Sequence, residues 1–177
     1  MKKNLFILAI AVFTLCVTAC GPSRDERVMQ IEDVEDSIFE NPIALDTATA
    51  DHITALYVTF ADKYPDDTLA PIYLMKAAET QANVLHTGRA ISLYDRIIDS
   101  YPLFSDIPMC IFLKGSAYEQ NGQYDEARDT YRLFVERYPD HYMADPVNQM
   151  LPYVGMSPEE MFDSIMAQTS DTLLKGK

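Results

Sequence analysis

Large apolar residues return at a fixed step along this chain. Tyr57, Tyr94 and Tyr131 stand 37 residues apart, and Phe60, Ile97 and Phe134 each follow three residues behind. The dipeptides Tyr64-Pro65, Tyr101-Pro102 and Tyr138-Pro139 close the same three stretches. Recurrence at this length marks one supersecondary unit stacked on copies of itself. Within each unit the apolar positions fall at steps of three and four, the period of one buried helix face. A unit of this size holds two short helices and two turns, and each pair buries its apolar face fully only against a neighbour.

Turn signals divide the chain into pairs. Val28, Ile31, Val34 and Ile38 predict a first helix that ends at Asn41-Pro42. Ile53, Leu56, Tyr57 and Phe60 predict a second over about 46–63, stopped by Pro65. The next pair begins after Asp66-Asp67-Thr68, takes Pro71 in its first turn, breaks near Gly88 and turns Ala90, Leu93, Tyr94, Ile97 and Ile98 inward. A third starts at Ser105-Asp106 with Pro108, turns at Asn121-Gly122 and runs from Tyr124 to Tyr138. Two more segments are predicted, over 142–154 and 158–168. Ser157 can cap the last of these, with Glu160 returning the bond. Met161, Phe162, Ile165 and Met166 then give an apolar face expected to cover the final hairpin. The expected fold is all-α, a short helical-hairpin solenoid of about three repeats with a capping C-terminal helix. Its domain spans 28–168, and a frayed tail occupies 169–177.

The amino-terminal stretch is an address. Lys2 and Lys3 precede an apolar run from Leu5 to Val17 that is too short to span a bilayer, so residues 1–19 are expected to be an export signal. Val17-Thr18-Ala19-Cys20-Gly21 resembles the lipobox of bacterial lipoproteins, which implies acylation of Cys20; an ordinary signal cut after Ala19 is the alternative. Several acyl chains hold a protein durably on a membrane, where one does so only marginally. Residues 20–27 are then expected to be a flexible tether. Cys16 leaves with the signal, and Cys110 is left without a disulfide partner, as a small buried thiol.

The third pair resembles a tetratricopeptide repeat in Gly115, Ala117, Tyr118, Gly122, Tyr124, Ala127, Tyr131, Phe134 and Pro139. Pair two keeps Ala77 or Ala78, Ala90, Tyr94, Ile97 and Pro102, and pair one keeps Tyr57, Phe60 and Pro65. The resemblance implies that Gly115 and Ala127 lie where helices cross, and that Tyr118, Tyr131 and Phe134 fill the space between pairs. A step of 37 exceeds the usual figure of about 34 for this repeat. That longer step, the lipobox and Phe112-Leu113-Lys114-Gly115 make the chain similar to lipoproteins of outer-membrane β-barrel assembly and their Tol-Pal-associated relatives, over about 46–152. It departs from the assembly lipoprotein in carrying fewer repeats. Such arrays bind peptides or helices in a groove of first helices. Carried over by position, this groove would take Leu74, Ala78 and Gln81 from the second pair and Met109, Phe112, Ser116, Glu119 and Gln120 from the third. The lysine and asparagine set of a carboxylate clamp is missing, so the implied partner is an extended or helical segment of an envelope protein.

Charge and chemistry narrow the picture further. A net charge of −13 disfavours nucleic acid and repels anionic lipid head groups, leaving the acyl chains as the expected membrane contact. His52, His86 and His141 are dispersed, with no metal-ligand spacing, phosphate loop or nucleophile elbow. Adjacent acids such as Asp66-Asp67 and Glu159-Glu160 sit at helix starts, where the helix dipole favours them. The chain is therefore expected to be no enzyme, with no metal, no cofactor beyond the lipid on Cys20, and no small-molecule substrate. The expected site is the outer membrane, on its periplasmic rather than cell-surface side. Gly21 is not the aspartate associated with inner-membrane retention, and Ser23-Arg24-Asp25-Glu26 weakly resembles the acidic tethers of surface lipoproteins. A glycan-binding or glycan-active envelope accessory is the alternative, because glycan hydrolysis needs only two carboxylates.

Overall fold

The computed structural model describes residues 21–40 and 46–175; the expected export signal, Cys20 and the Asn41-Pro42 end predicted for the first helix lie outside them. Among the described residues there are eight α-helices and no strand. They are α1 (Arg24–Glu40), α2 (Thr47–Lys63), α3 (Leu69–Asn83), α4 (Thr87–Ser100), α5 (Ile107–Gln120), α6 (Tyr124–Arg137), α7 (Ala144–Met150) and α8 (Pro158–Lys175), with a 3-10 turn at Leu151–Tyr153 before α8. From α1 to α7 each helix packs on the next, so the expected solenoid of hairpins is what forms.

The repeat is written in the backbone as well as the side chains. Tyr64, Tyr101 and Tyr138 end α2, α4 and α6 with φ/ψ of −130/60°, −129/58° and −131/57°. Proline bars the residue before it from helical geometry, so each helix stops at its tyrosine. Each tyrosine N–H still reaches back to Phe60, Ile97 or Phe134 at 2.9 Å, and its own carbonyl accepts from Asp67, Phe104 or His141. The added length of this repeat is thus a hydrogen-bonded turn. Phe60, Ile97 and Phe134, all 0 % exposed, anchor it from below.

Within pairs the turns differ in cost. His86 N–H bonds to the Gln81 carbonyl and Gln123 N–H to the Tyr118 carbonyl, both at 2.9 Å, six-residue closures that need a left-handed residue just before. Gly122 supplies it at φ 73°, but in the preceding pair the same place is held by Leu85 at φ 61°, with its side chain 75 % exposed. A left-handed non-glycine residue costs about 1–2 kcal/mol, and little packing here compensates. Leu85→Gly is therefore expected to stabilise the protein by about 1 kcal/mol, read as a higher denaturation midpoint with an unchanged slope; a lower midpoint would refute this account.

The structure departs from the sequence expectations in four places. The tether does not reach residue 27, because α1 begins at Arg24. Ser23 N–H donates to Glu26 Oε2 at 2.7 Å and Glu26 N–H to Ser23 Oγ at 3.3 Å, the same reciprocal cap as Ser157 and Glu160. Arg24 Nε also donates to Asp67 Oδ2 at 2.7 Å, and the Arg24 guanidinium with the Leu69 N–H holds the Asp67 carboxyl below its ordinary range.

The helix expected over 142–154 ends at Met150. Pro152 stands one repeat step after Gly115 and lacks the N–H that a continuing helix needs, so a fourth first helix starts and is cut short. This remnant is what covers α6, through Ala144, Val147 and Val154, each at most 3 % exposed. Arg128 Nη1 holds the Val154 carbonyl at 2.8 Å. Gly155 (φ 81°) then turns the chain against Tyr124, where a methyl group would lie 2.6 Å from the ring.

The C-terminal helix does not bury the expected apolar face. Met161 and Phe162 of α8 are 37 % and 62 % exposed, because α7 already occupies the end of the stack. The backbone of α8 stays helical to Lys175, past the expected end at 168, since no glycine or proline intervenes before Gly176.

Candidate functional site

α5 and α6 pack closely because Gly115 has no side chain. A methyl group there would lie 2.6 Å from Tyr131 Cε1, and the Tyr131 ring is only 2 % exposed. Phe112, one turn earlier on α5, lies 5.7 Å from the Tyr131 ring and 6.1 Å from Phe134. Tyr118 is half-buried against the core, and Ala127 is fully enclosed. Tyr57, Phe60, Ala90, Tyr94 and Ile97, read from the sequence as packing residues, are all at most 4 % exposed.

The groove assignments divide. Met109, Phe112, Ser116 and Glu119 are half-buried and Gln120 is exposed, forming a surface stripe along α5. Leu74, Ala78 and Gln81 are each 0 % exposed and belong to the core. They correspond at the repeat step to Ile111, Gly115 and Tyr118, a stripe about 100° round the helix that faces α2 and α4. The residues of α3 equivalent to the α5 stripe are Ile72, Met75, Glu79, Ala82 and Asn83, all half-buried or exposed. Subtracting 37 from the third-pair positions identifies them from the sequence alone.

Gln81 is instead the buried hub of a polar cluster that reaches the surface. Its Nε2 donates to Thr54 Oγ1 at 2.9 Å and Asp51 Oδ1 at 3.1 Å, and its Oε1 accepts from His86 Nδ1 at 2.9 Å. Arg89 Nη1 holds Asp51 at 2.7 Å. One side chain thereby ties α2 to both helices of the following pair.

The first-helix face carries a row of phenols and carboxylates. Tyr57 donates to Glu35 Oε1 at 2.7 Å and Tyr131 to Glu119 Oε2 at 3.0 Å, while Lys76 Nζ joins α3 to Glu35 on α1 at 2.7 Å. Burial, with these carboxylates adding to it, pushes both phenols well above their ordinary value. Cys110 lies beneath this face, 0 % exposed, and burial pushes its thiol up to about 12, so it stays protonated and unreactive at neutral pH. Among the described residues no group of three histidine, cysteine or acidic side chains is placed to hold a metal, and no helix is long and apolar enough to cross a membrane.

Comparison with known proteins agrees with this geometry. Residues 110–141, from the first turn of α5 to the turn after α6, match the family described as Tetratricopeptide repeat. A search of curated proteins finds no match. Gly115, Ala127, Tyr131 and Phe134, which bring α5 and α6 together, all lie in the matched stretch. The chain carries a tetratricopeptide repeat within an all-helical stack of hairpins.

Proposed function

We propose that this protein is a lipid-anchored envelope scaffold that holds a partner protein or peptide against its first-helix face. Repeats of this kind mediate protein–protein interaction. The observation that carries the reading is the pair of equivalent stripes on α3 and α5. Ile72 and Met109 occupy one repeat position, both are outside the packed core, and Ile72 is 38 % exposed. Met75 and Phe112 stand behind them as an apolar floor, with Asn83 and Gln120 as polar rim. An apolar floor with a polar edge suits a helical or extended segment. The lipobox-like stretch Val17-Thr18-Ala19-Cys20-Gly21 supports an acyl anchor, and Gly21, which is not the aspartate of inner-membrane retention, favours the outer membrane; the reading places the chain on its periplasmic side. No catalytic role, cofactor or small-molecule substrate forms part of this reading.

The test is capture from detergent-solubilised envelope by the full chain and by its Ile72→Ser/Met109→Ser variant. The wild type is expected to retain a specific protein, and the variant to retain at least tenfold less with unchanged helical circular dichroism. Surface changes of this kind rarely alter stability by more than about 0.5 kcal/mol. Phe112→Ala is a poorer probe, because that ring also packs on Tyr131 and Phe134. Equal retention by both forms would sink the groove, and retention on purified peptidoglycan without a protein partner would favour the glycan alternative. Intact mass of the membrane-extracted chain tests the anchor; an unmodified amino terminus would remove it.

A further inference from the structure

The charge pattern of the first-helix face identifies the chemistry of its occupant, an inference that rests on the docking role just proposed. Each of the three repeat tyrosines has a carboxylate from a first helix near it. Glu35 and Glu119 accept from Tyr57 and Tyr131, and Glu79 lies close enough to Tyr94 for its charge to assist burial in keeping that phenol protonated. Only Glu35 is neutralised, by Lys76. Among the described residues neither Glu79 nor Glu119 has a cation at ion-pair distance, and Glu79 receives no hydrogen bond. The α3 and α5 stripes contain no lysine or arginine.

Glu79 does not serve the free fold. It is half-buried, and burial raises its carboxyl above the ordinary value, offset only in part by the charge of Lys76 one turn earlier on α3. A group whose folded value is raised destabilises the native state once ionised, at pH above that value, and the cost disappears as the pH falls. At neutral pH the cost is present. A carboxylate desolvated without a donor is relieved when a cation arrives.

We propose that the first-helix face takes up a basic amphipathic segment of a partner protein. A lysine or arginine of that segment meets Glu79, and its apolar residues rest on Ile72, Met75 and Met109. Charge complementarity argues for this occupant: an acidic, apolar-floored face selects a cationic segment and repels an acidic one.

The experiment uses the full chain in mild nonionic detergent with two fluorescent helical peptides of leucine and alanine. One carries lysine along its polar face, and the other carries glutamate at the same positions. The lysine peptide is expected to bind and its counterpart not to. Affinity should fall between about 0.1 M and about 1 M salt, as the screening length shrinks from about 10 to about 3 Å. Glu79→Gln is expected to weaken the lysine peptide about tenfold while leaving the melting temperature unchanged or higher.

No binding of the lysine peptide, equal binding of both, or no effect of Glu79→Gln would overturn the proposal. So would a lowered melting temperature in that variant, which marks a structural carboxylate. If Ile72→Ser/Met109→Ser abolishes capture of the envelope partner while Glu79→Gln does not, the docking role stands and the basic occupant falls.

Discussion

Phe134→Ala is expected to lower the melting temperature by about 10 °C. The ring is fully buried, with the Phe112, Tyr138 and His141 rings at 6.1, 6.2 and 5.3 Å. Its removal leaves a cavity that the rigid pair α5–α6 cannot close, and truncations of this type cost about 3–5 kcal/mol. For a chain of this size each kcal/mol moves the midpoint by about 2–4 °C. The loss should also be local, because stacked repeats communicate only through their nearest neighbours. Hydrogen exchange is therefore expected to accelerate in α5, α6 and α7 while α2 keeps its protection. A shift below about 3 °C, or a uniform loss of protection from α2 to α7, would contradict this picture of the packing.

Gln81→Leu should cost about 2 kcal/mol although it replaces a polar residue in the core by an apolar one of similar size. Extra apolar burial favours leucine by roughly 1 kcal/mol. Against that, Thr54, itself 0 % exposed, loses its donor, Asp51 loses one of two, and His86 loses its acceptor. An unsatisfied buried group costs about 1–3 kcal/mol and Thr54 becomes one, while the half-exposed Asp51 and His86 each lose a hydrogen bond worth about 0.5–1.5 kcal/mol, so the polar loss wins. Chemical denaturation of the full chain reads the difference directly. A Gln81→Leu protein as stable as the parent would show that water already satisfies this cluster.

Much of the architecture was legible because the same local chemistry recurs three times. Tyr-Pro at one step stops a helix, and the residues behind it pack in one way, so the repeat length maps onto three tyrosines with nearly identical dihedral angles. The cap at Ser157 was readable for the same reason. The equivalent cap at Ser23 was obscured by the charged residues around it, which also suggest a solvated tether. What draws α1 down is Arg24 meeting Asp67, 43 residues away.

The candidate site was legible only in its third pair. There a glycine sets the register and the stripe of Met109, Phe112 and Ser116 can be placed against it. In the second pair alanine replaces that glycine, several small residues compete for its role, and Leu74, Ala78 and Gln81 fit an amphipathic face equally well. Which stripe faces solvent depends on where the neighbouring helices lie.

Periodicity and the two backbone punctuators, proline and glycine, determined the helices, their pairing and the order of the stack, since these are local properties of the chain. Tertiary structure alone decided that Gln81 joins two pairs, that Glu79 is left desolvated, and that α7 rather than α8 closes the end. Each of those depends on contacts across 20 or more residues, or on the space left by a neighbour, and the hydrophobic pattern of a single helix holds no record of either.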